Sequence, residues 1–160
     1  MARTTTRHAI LVESALRISP QRLEAVGSGV IYPGQLLYMV TATQVDQHAT
    51  ASGASAKFIS LVNPAPDTYT YPTTAAIDIP YADGDTVQFM QGLPGDVVNM
   101  KIASGQSVTK GKHWLISDGN GNLKSCGTGL SVGTSCPIGI AWQTVNANGG
   151  TAARCLVRIV

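Results

Sequence analysis

The chain has 160 residues, of which 44% are hydrophobic and 12% charged, and its formal net charge is +2. That length fits one domain with a tail to spare, and its core needs no outside staple. The charge content is about half the usual ~25%, which points to a surface partly spent on protein contacts, and the small net charge gives no reason to expect direct binding to nucleic acid.

Residues 1–26 read unlike the rest. Arg3, Arg7, Arg17 and Arg22 face Glu13 and Glu24, a mild basic excess far short of a phosphate-binding arm. The basic start resembles that of a signal peptide, but Ile10-Leu11-Val12 meets Glu13 too soon to form an export core. No apolar run in the chain approaches the ~20 residues that span a bilayer. The expectation is a protein made and used without secretion, with no membrane partner. Leu11, Leu16, Leu23 and Val26 are loosely spaced. Pro20 fits the first turn of a short helix over residues 20–26, with Ser19 as its cap. The whole segment reads as an extended N-terminal arm that gains order from a neighbour. Its candidate contact residues are Ile10, Leu11, Val12, Leu16 and Leu23.

Gly27-Ser28-Gly29 separates this arm from a body over residues 27–160. Residues 30–34 end in a Pro-Gly turn. A strand is predicted over 35–43, a loop carrying His48 over 45–53, and a second strand over 57–62. Asn63-Pro64-Ala65-Pro66 is a restricted loop, and Tyr69-Thr70-Tyr71-Pro72 an edge segment, since proline cannot join a central ladder.

A turn signal then keeps returning: Gly84-Asp85-Thr86-Val87, Gly95-Asp96-Val97-Val98, Gly105-Gln106-Ser107-Val108, Gly111-Lys112-His113-Trp114 and Asp118-Gly119-Asn120-Gly121. Glycine supplies positive φ at such turns, and Asp or Asn bonds its own backbone there. Strands are predicted over 86–91, 97–102, 113–117, 123–126, 138–142 and 153–160, with a glycine-rich loop over 127–135 and a hairpin turn over 146–150. Short strands at this spacing indicate an all-β barrel or sandwich.

The body offers little chemistry. His8, His48 and His113 are scattered, and none pairs with another ligand at metal-binding spacing. Cys126, Cys136 and Cys155 are an odd number without an export signal, so free thiols are expected, with a Cys126–Cys136 bridge as the alternative. Asp118-Gly119-Asn120-Gly121 lacks the ligand series of a calcium loop and reads as a β-turn. Gly127-Thr128-Gly129 opens no helix, so it makes no phosphate cradle. No catalytic, cofactor-binding or metal-binding residue is identified, and the chain is not expected to be an enzyme.

Two resemblances follow from the motifs. The rhythm from Gly95 to Leu115 resembles biotinyl and lipoyl carrier domains, but Lys101 stands within a predicted strand and not in the turn where a carrier is modified. Wider in extent is the series Gly29-Val30-Ile31-Tyr32-Pro33-Gly34-Gln35-Leu36, His48-Ala49-Thr50, Tyr81-Ala82-Asp83-Gly84-Asp85-Thr86-Val87, residues 111–121, Ile138-Gly139-Ile140-Ala141 and Val157-Arg158-Ile159. In this order it resembles the small decoration, or cement, proteins that stabilise tailed-phage heads. The resemblance implies a β-tulip-like barrel, with a jelly roll as the alternative. It also implies a homotrimer on the major capsid protein at the outer surface of the expanded head, and hence a place in the virion. The arm residues named above would then be candidate shell contacts. The rival expectation is a carbohydrate- or receptor-binding β module, with Tyr69, Tyr71 and Tyr81 converging on one groove.

Overall fold

The computed structural model describes residues 10–14, 21–51, 56–64, 76–128, 137–148, 150 and 153–160. After the short strand β1 (Leu11–Glu13), five strands close a first barrel: β2 (Leu23–Gly27), β3 (Leu36–Met39), β4 (Gln44–Gln47), β5 (Phe58–Ser60) and β6 (Thr86–Gln91). They run in the order β2-β4-β3-β5-β6, with β6 returning to pair β2. Alternation sets the inside: Ala25, Leu37, Val45, Val87 and Phe89 fill the barrel together with Ile31 and Tyr81.

The second half holds β7 (Val97–Ile102), β8 (Ser107–Val108), β9 (Trp114–Ser117), β10 (Leu123–Gly127), β11 (Gly139–Ala141), β12 (Val145–Asn146) and β13 (Ala153–Ile159). β7, β10, β9, β11 and β13 follow one another, and β13 pairs back with β7 from Ala153↔Ile102 to Arg158↔Val97, so this sheet also closes on itself. β1 is added to β7 through Leu11↔Val98 and Glu13↔Val97. β8 and β12 form a small separate ladder.

The all-β barrel class expected from the sequence is what the chain forms, but as two five-stranded barrels and not a single one. The reason is width. Barrel diameter grows with strand number, and about eight strands already give the widest interior that side chains can fill. Strands of three to seven residues bearing Val, Ile and Leu can fill two narrow barrels but not one broad one.

Three further expectations change. Residues 23–27 form a strand and not the end of a helix, because Leu23, Ala25 and Gly27 alternate inward against exposed Glu24 and Val26. The boundary expected at residue 26 therefore falls inside a stave of the first barrel. The loop expected over 45–53 begins with β4. Val145–Asn146 pairs with β8 rather than continuing a hairpin with β13. The edge segment expected over 69–72 and Cys136 lie outside the described residues.

One turn design is used three times. Gln35, Asp85 and Asp96 each donate their backbone N–H to the carbonyl three residues earlier, at Tyr32, Ala82 and Leu93. Their side-chain oxygens accept the N–H of those same residues, at 2.7, 2.6 and 3.0 Å. The glycine before each, Gly34, Gly84 or Gly95, has positive φ. The carboxylates of Asp85 and Asp96 thus serve turn closure.

The first of these turns is the joint between barrels. The Gly34 N–H donates to the Ser60 carbonyl at 2.9 Å, and the Gly34 carbonyl accepts the Lys101 N–H of β7 at 3.0 Å. Arg154 of β13 donates to the Pro33 carbonyl at 3.0 Å and pairs with Asp78 at 2.9 Å. It also donates to the Ile77 carbonyl, in the 3-10 turn Ala76–Asp78. Leu36, Ile59 and Met90, on the outer wall of the first barrel, join a single core with Val98, Met100, Leu115 and Val157 of the second.

His48 lies at this joint, its Nδ1 3.0 Å from the Ser117 hydroxyl and its ring edge-on to Tyr38. Burial pushes its pKa below the ordinary 6.5, only partly offset by a hydrogen bond with the Thr50 backbone. A depressed histidine binds its proton more readily in the unfolded chain, so its share of stability is present above about pH 6.5 and is lost as pH falls through the folded pKa. Thermal melts of the wild type should fall more steeply between pH 7 and 5.5 than those of His48→Gln. Parallel pH profiles would remove His48 from the account.

Candidate assembly surfaces

Ile10 is 2% exposed and packs in the second core, and its carbonyl accepts the Asn99 N–H at 2.7 Å. Leu11 and Val12 are half-buried beside β7, and Leu23 packs against the core of the first barrel. Leu16 lies outside the described residues. Ile10 and Leu11 line one groove of about 390 Å³ with Arg22, Leu61, Val62, Pro64 and Gln88. Ile10, Leu11 and Leu23 are therefore committed to the chain's own two barrels.

His48 and His113 do structural work, and His8 lies outside the described residues. The His113 Nδ1 accepts the Thr109 N–H at 2.8 Å, closing the turn before β9. Among the described residues, no three His, Cys, Asp or Glu side chains gather to hold a metal. Cys126 and Cys155 are free thiols, and burial pushes the Cys155 thiol up to about 11. Tyr81 is buried inside the first barrel, where its hydroxyl donates to the Leu61 carbonyl at 3.2 Å and burial pushes its pKa up to about 12. It cannot line an open sugar groove. Tyr69 and Tyr71 lie outside the described residues.

Two outer walls stand out instead. On the first barrel, Val26 of β2 lies opposite Gln44 of β4, and Val40, just after β3, donates its N–H to the Gln44 carbonyl. Tyr38 lies opposite Asp46 on the same side of the sheet. Val26, Tyr38, Val40 and nearby Val30 are 40%, 37%, 43% and 47% exposed. They sit on the strand parity that normally carries polar residues. Carboxylates frame them. Asp83 accepts the Gly29 N–H at 2.8 Å, and Asp46 lies 3.7 Å from where a side chain on Gly29 would begin. Exposed Glu24 accepts a hydrogen bond from Gln88 at 3.0 Å.

On the second barrel, Trp114, Ile140 and Arg158 stand in one row across β9, β11 and β13. The row continues through Val97 of β7 to Glu13 at its far end. Trp142 follows β11, its N–H bonded to the Leu156 carbonyl at 2.7 Å. Two cations lie near its ring: Lys110 Nζ and Arg158 Cζ are each 5.1 Å from the ring centre. Both tryptophans thus lie half-buried on one wall. Tryptophan and arginine together are the residue types that dominate binding energy in protein interfaces. Neither wall was identified from the sequence, because apolar residues at outward parity look like core residues until the strand faces are known.

No protein-family model matches this chain. No curated protein matches its sequence. Among solved structures, the chain is similar to the crystal structure of the N base of the head fibre gp8.5 of bacteriophage phi29, with 14% identity and a TM-score of 0.46 over 89% of this chain and 98% of that one.

Proposed function

We propose that this chain is a structural protein of a tailed-phage head: a decoration protein that seats as a homotrimer on the major capsid protein and stabilises the expanded shell. The observation that carries this reading is the exposed apolar row on the outer wall of the first barrel, with a half-buried tryptophan row on the second, in a chain with so few charges. Such walls suit a protein whose surface is spent on protein contacts. The ordered motifs that resemble those of decoration proteins support it, and the Gly29–Leu36 motif includes the turn that joins the barrels. The role is that of a clamp and involves no catalysis. A clamp that binds only the expanded lattice stabilises it by mass action, by about 2.7 kcal/mol per site at a hundred times its Kd. Three joined copies at a three-fold or quasi-three-fold position raise the local concentration of each contact.

The test uses heads assembled without this chain. They should release DNA at a lower temperature than complete heads, and added purified protein should co-sediment with them and restore the difference. Failure to co-sediment with expanded heads would overturn the proposal.

A further inference from the structure

Charge divides between the two barrels. Residues 21–91 carry Arg22 and Lys57 against Glu24, Asp46, Asp67, Asp78, Asp83 and Asp85, a net −4. Residues 92–160 carry Lys101, Lys110, Lys112, Lys124, Arg154 and Arg158 against Asp96 and Asp118, a net +4, and Glu13 of the added strand β1 lowers the second barrel to +3. Arg154 and Asp78 neutralise each other across the joint. Part of the remaining imbalance lies at the two apolar walls. Asp46, Asp83 and Glu24 lie about the valine and tyrosine row of the first barrel. Lys110 and Arg158 lie about the tryptophan wall of the second.

We propose that these walls are the two halves of one contact, in which the first barrel of one copy seats on the second barrel of the next. Either wall meeting itself across a two-fold axis would set like charges together. Acidic wall on basic wall matches charge, and it offers the Trp114 and Trp142 rings an apolar surface of Val26, Tyr38 and Val40. A contact between different faces is head-to-tail, and it makes a ring when its rotation closes. The pairing of walls stands on the charge pattern, and only the count of three copies rests on the homotrimer reading above.

The test is analytical sedimentation of the full chain at high micromolar concentration and low salt. Wild type should form a closed oligomer that dissociates as salt rises. Arg158→Glu with Lys110→Glu should disable the basic wall, and Glu24→Lys with Asp46→Lys the acidic wall. Each pair should weaken association about tenfold or more, with the thermal melt retained. Mixed in equal amounts, the two variants keep one good wall each. The wall changed in one is also opposite in charge to the wall changed in the other, so the mixture should recover an association that neither variant shows alone. All four changes in one chain should restore assembly. A monomeric wild type, variants that assemble as wild type does, or a mixture that stays monomeric would each overturn the proposal. Intact assembly with no binding to heads would instead count against the proposed function alone.

Discussion

Gly34→Ala is expected to lower stability by about 2–5 kcal/mol. Gly34 has φ of +79°, and a side chain there would begin 2.6 Å from the Asn99 carbonyl oxygen and 2.8 Å from Arg154 Nη1. The left-handed conformation costs an alanine about 1–2 kcal/mol. Overpacking adds about 1–3 kcal/mol, because the Asn99 carbonyl belongs to the central strand β7 and cannot swing aside. The loss should appear as a drop in Tm of roughly 5–20 °C for a chain of this size. Gly84→Ala is the control. It has φ of +86° but nothing within 4 Å of the added atom, so only the conformational cost applies. Equal melts for the two variants would mean that the close approach of the barrels at Gly34 contributes nothing.

Deletion of residues 2–26 is expected to abolish cooperative unfolding. The deletion removes β1 and nearly all of β2. β2 pairs β6 from Leu23↔Phe89 to Val26↔Thr86, and on its other edge it pairs β4. Without that stave the first barrel has two open edges, and Val45, Val87 and Phe89 lose a wall. Ile10 goes as well, and Ile10→Ala alone should cost about 2–5 kcal/mol. Together these losses rival the ~5–15 kcal/mol by which a domain is stable. Near-UV circular dichroism through a thermal melt is the measurement. A sharp transition in the truncated chain would show that the segment is an appendage after all.

The second half was legible because tight turns leave a chemical trace. A turn closed by Asp85 or Asp96 needs a glycine at positive φ just before it, and Gly84 and Gly95 announce both turns. From there β6, β7, β9, β10, β11 and β13 fall within a residue or two of their predicted places. β2 and β4 left a weaker trace. β2 buries only Leu23, Ala25 and Gly27 while exposing Val26, which inverts the usual pattern. In β4 only Val45 points its apolar side chain inward, between Gln44 and Asp46. A narrow barrel asks few side chains of each stave, so hydrophobic periodicity falls below notice. The two walls were hidden for a related reason. Val26 and Ile140 look like core residues in sequence, and the division of charge has meaning only once the barrel boundary near residue 92 is known.

The seam between β7 and β13 also sets an order of events during synthesis. The first barrel is made of nearby segments and is complete once Gln91 has emerged. The second cannot close until β13 arrives, because β7 pairs with residues roughly fifty to sixty positions further on. At about 5–20 residues per second the ribosome takes about three to twelve seconds to supply them. For that interval Leu36, Ile59 and Met90 of the finished first barrel have no second core to join. The nascent chain therefore passes through a half-built stage with a sticky flank, and this is where a folding helper would act.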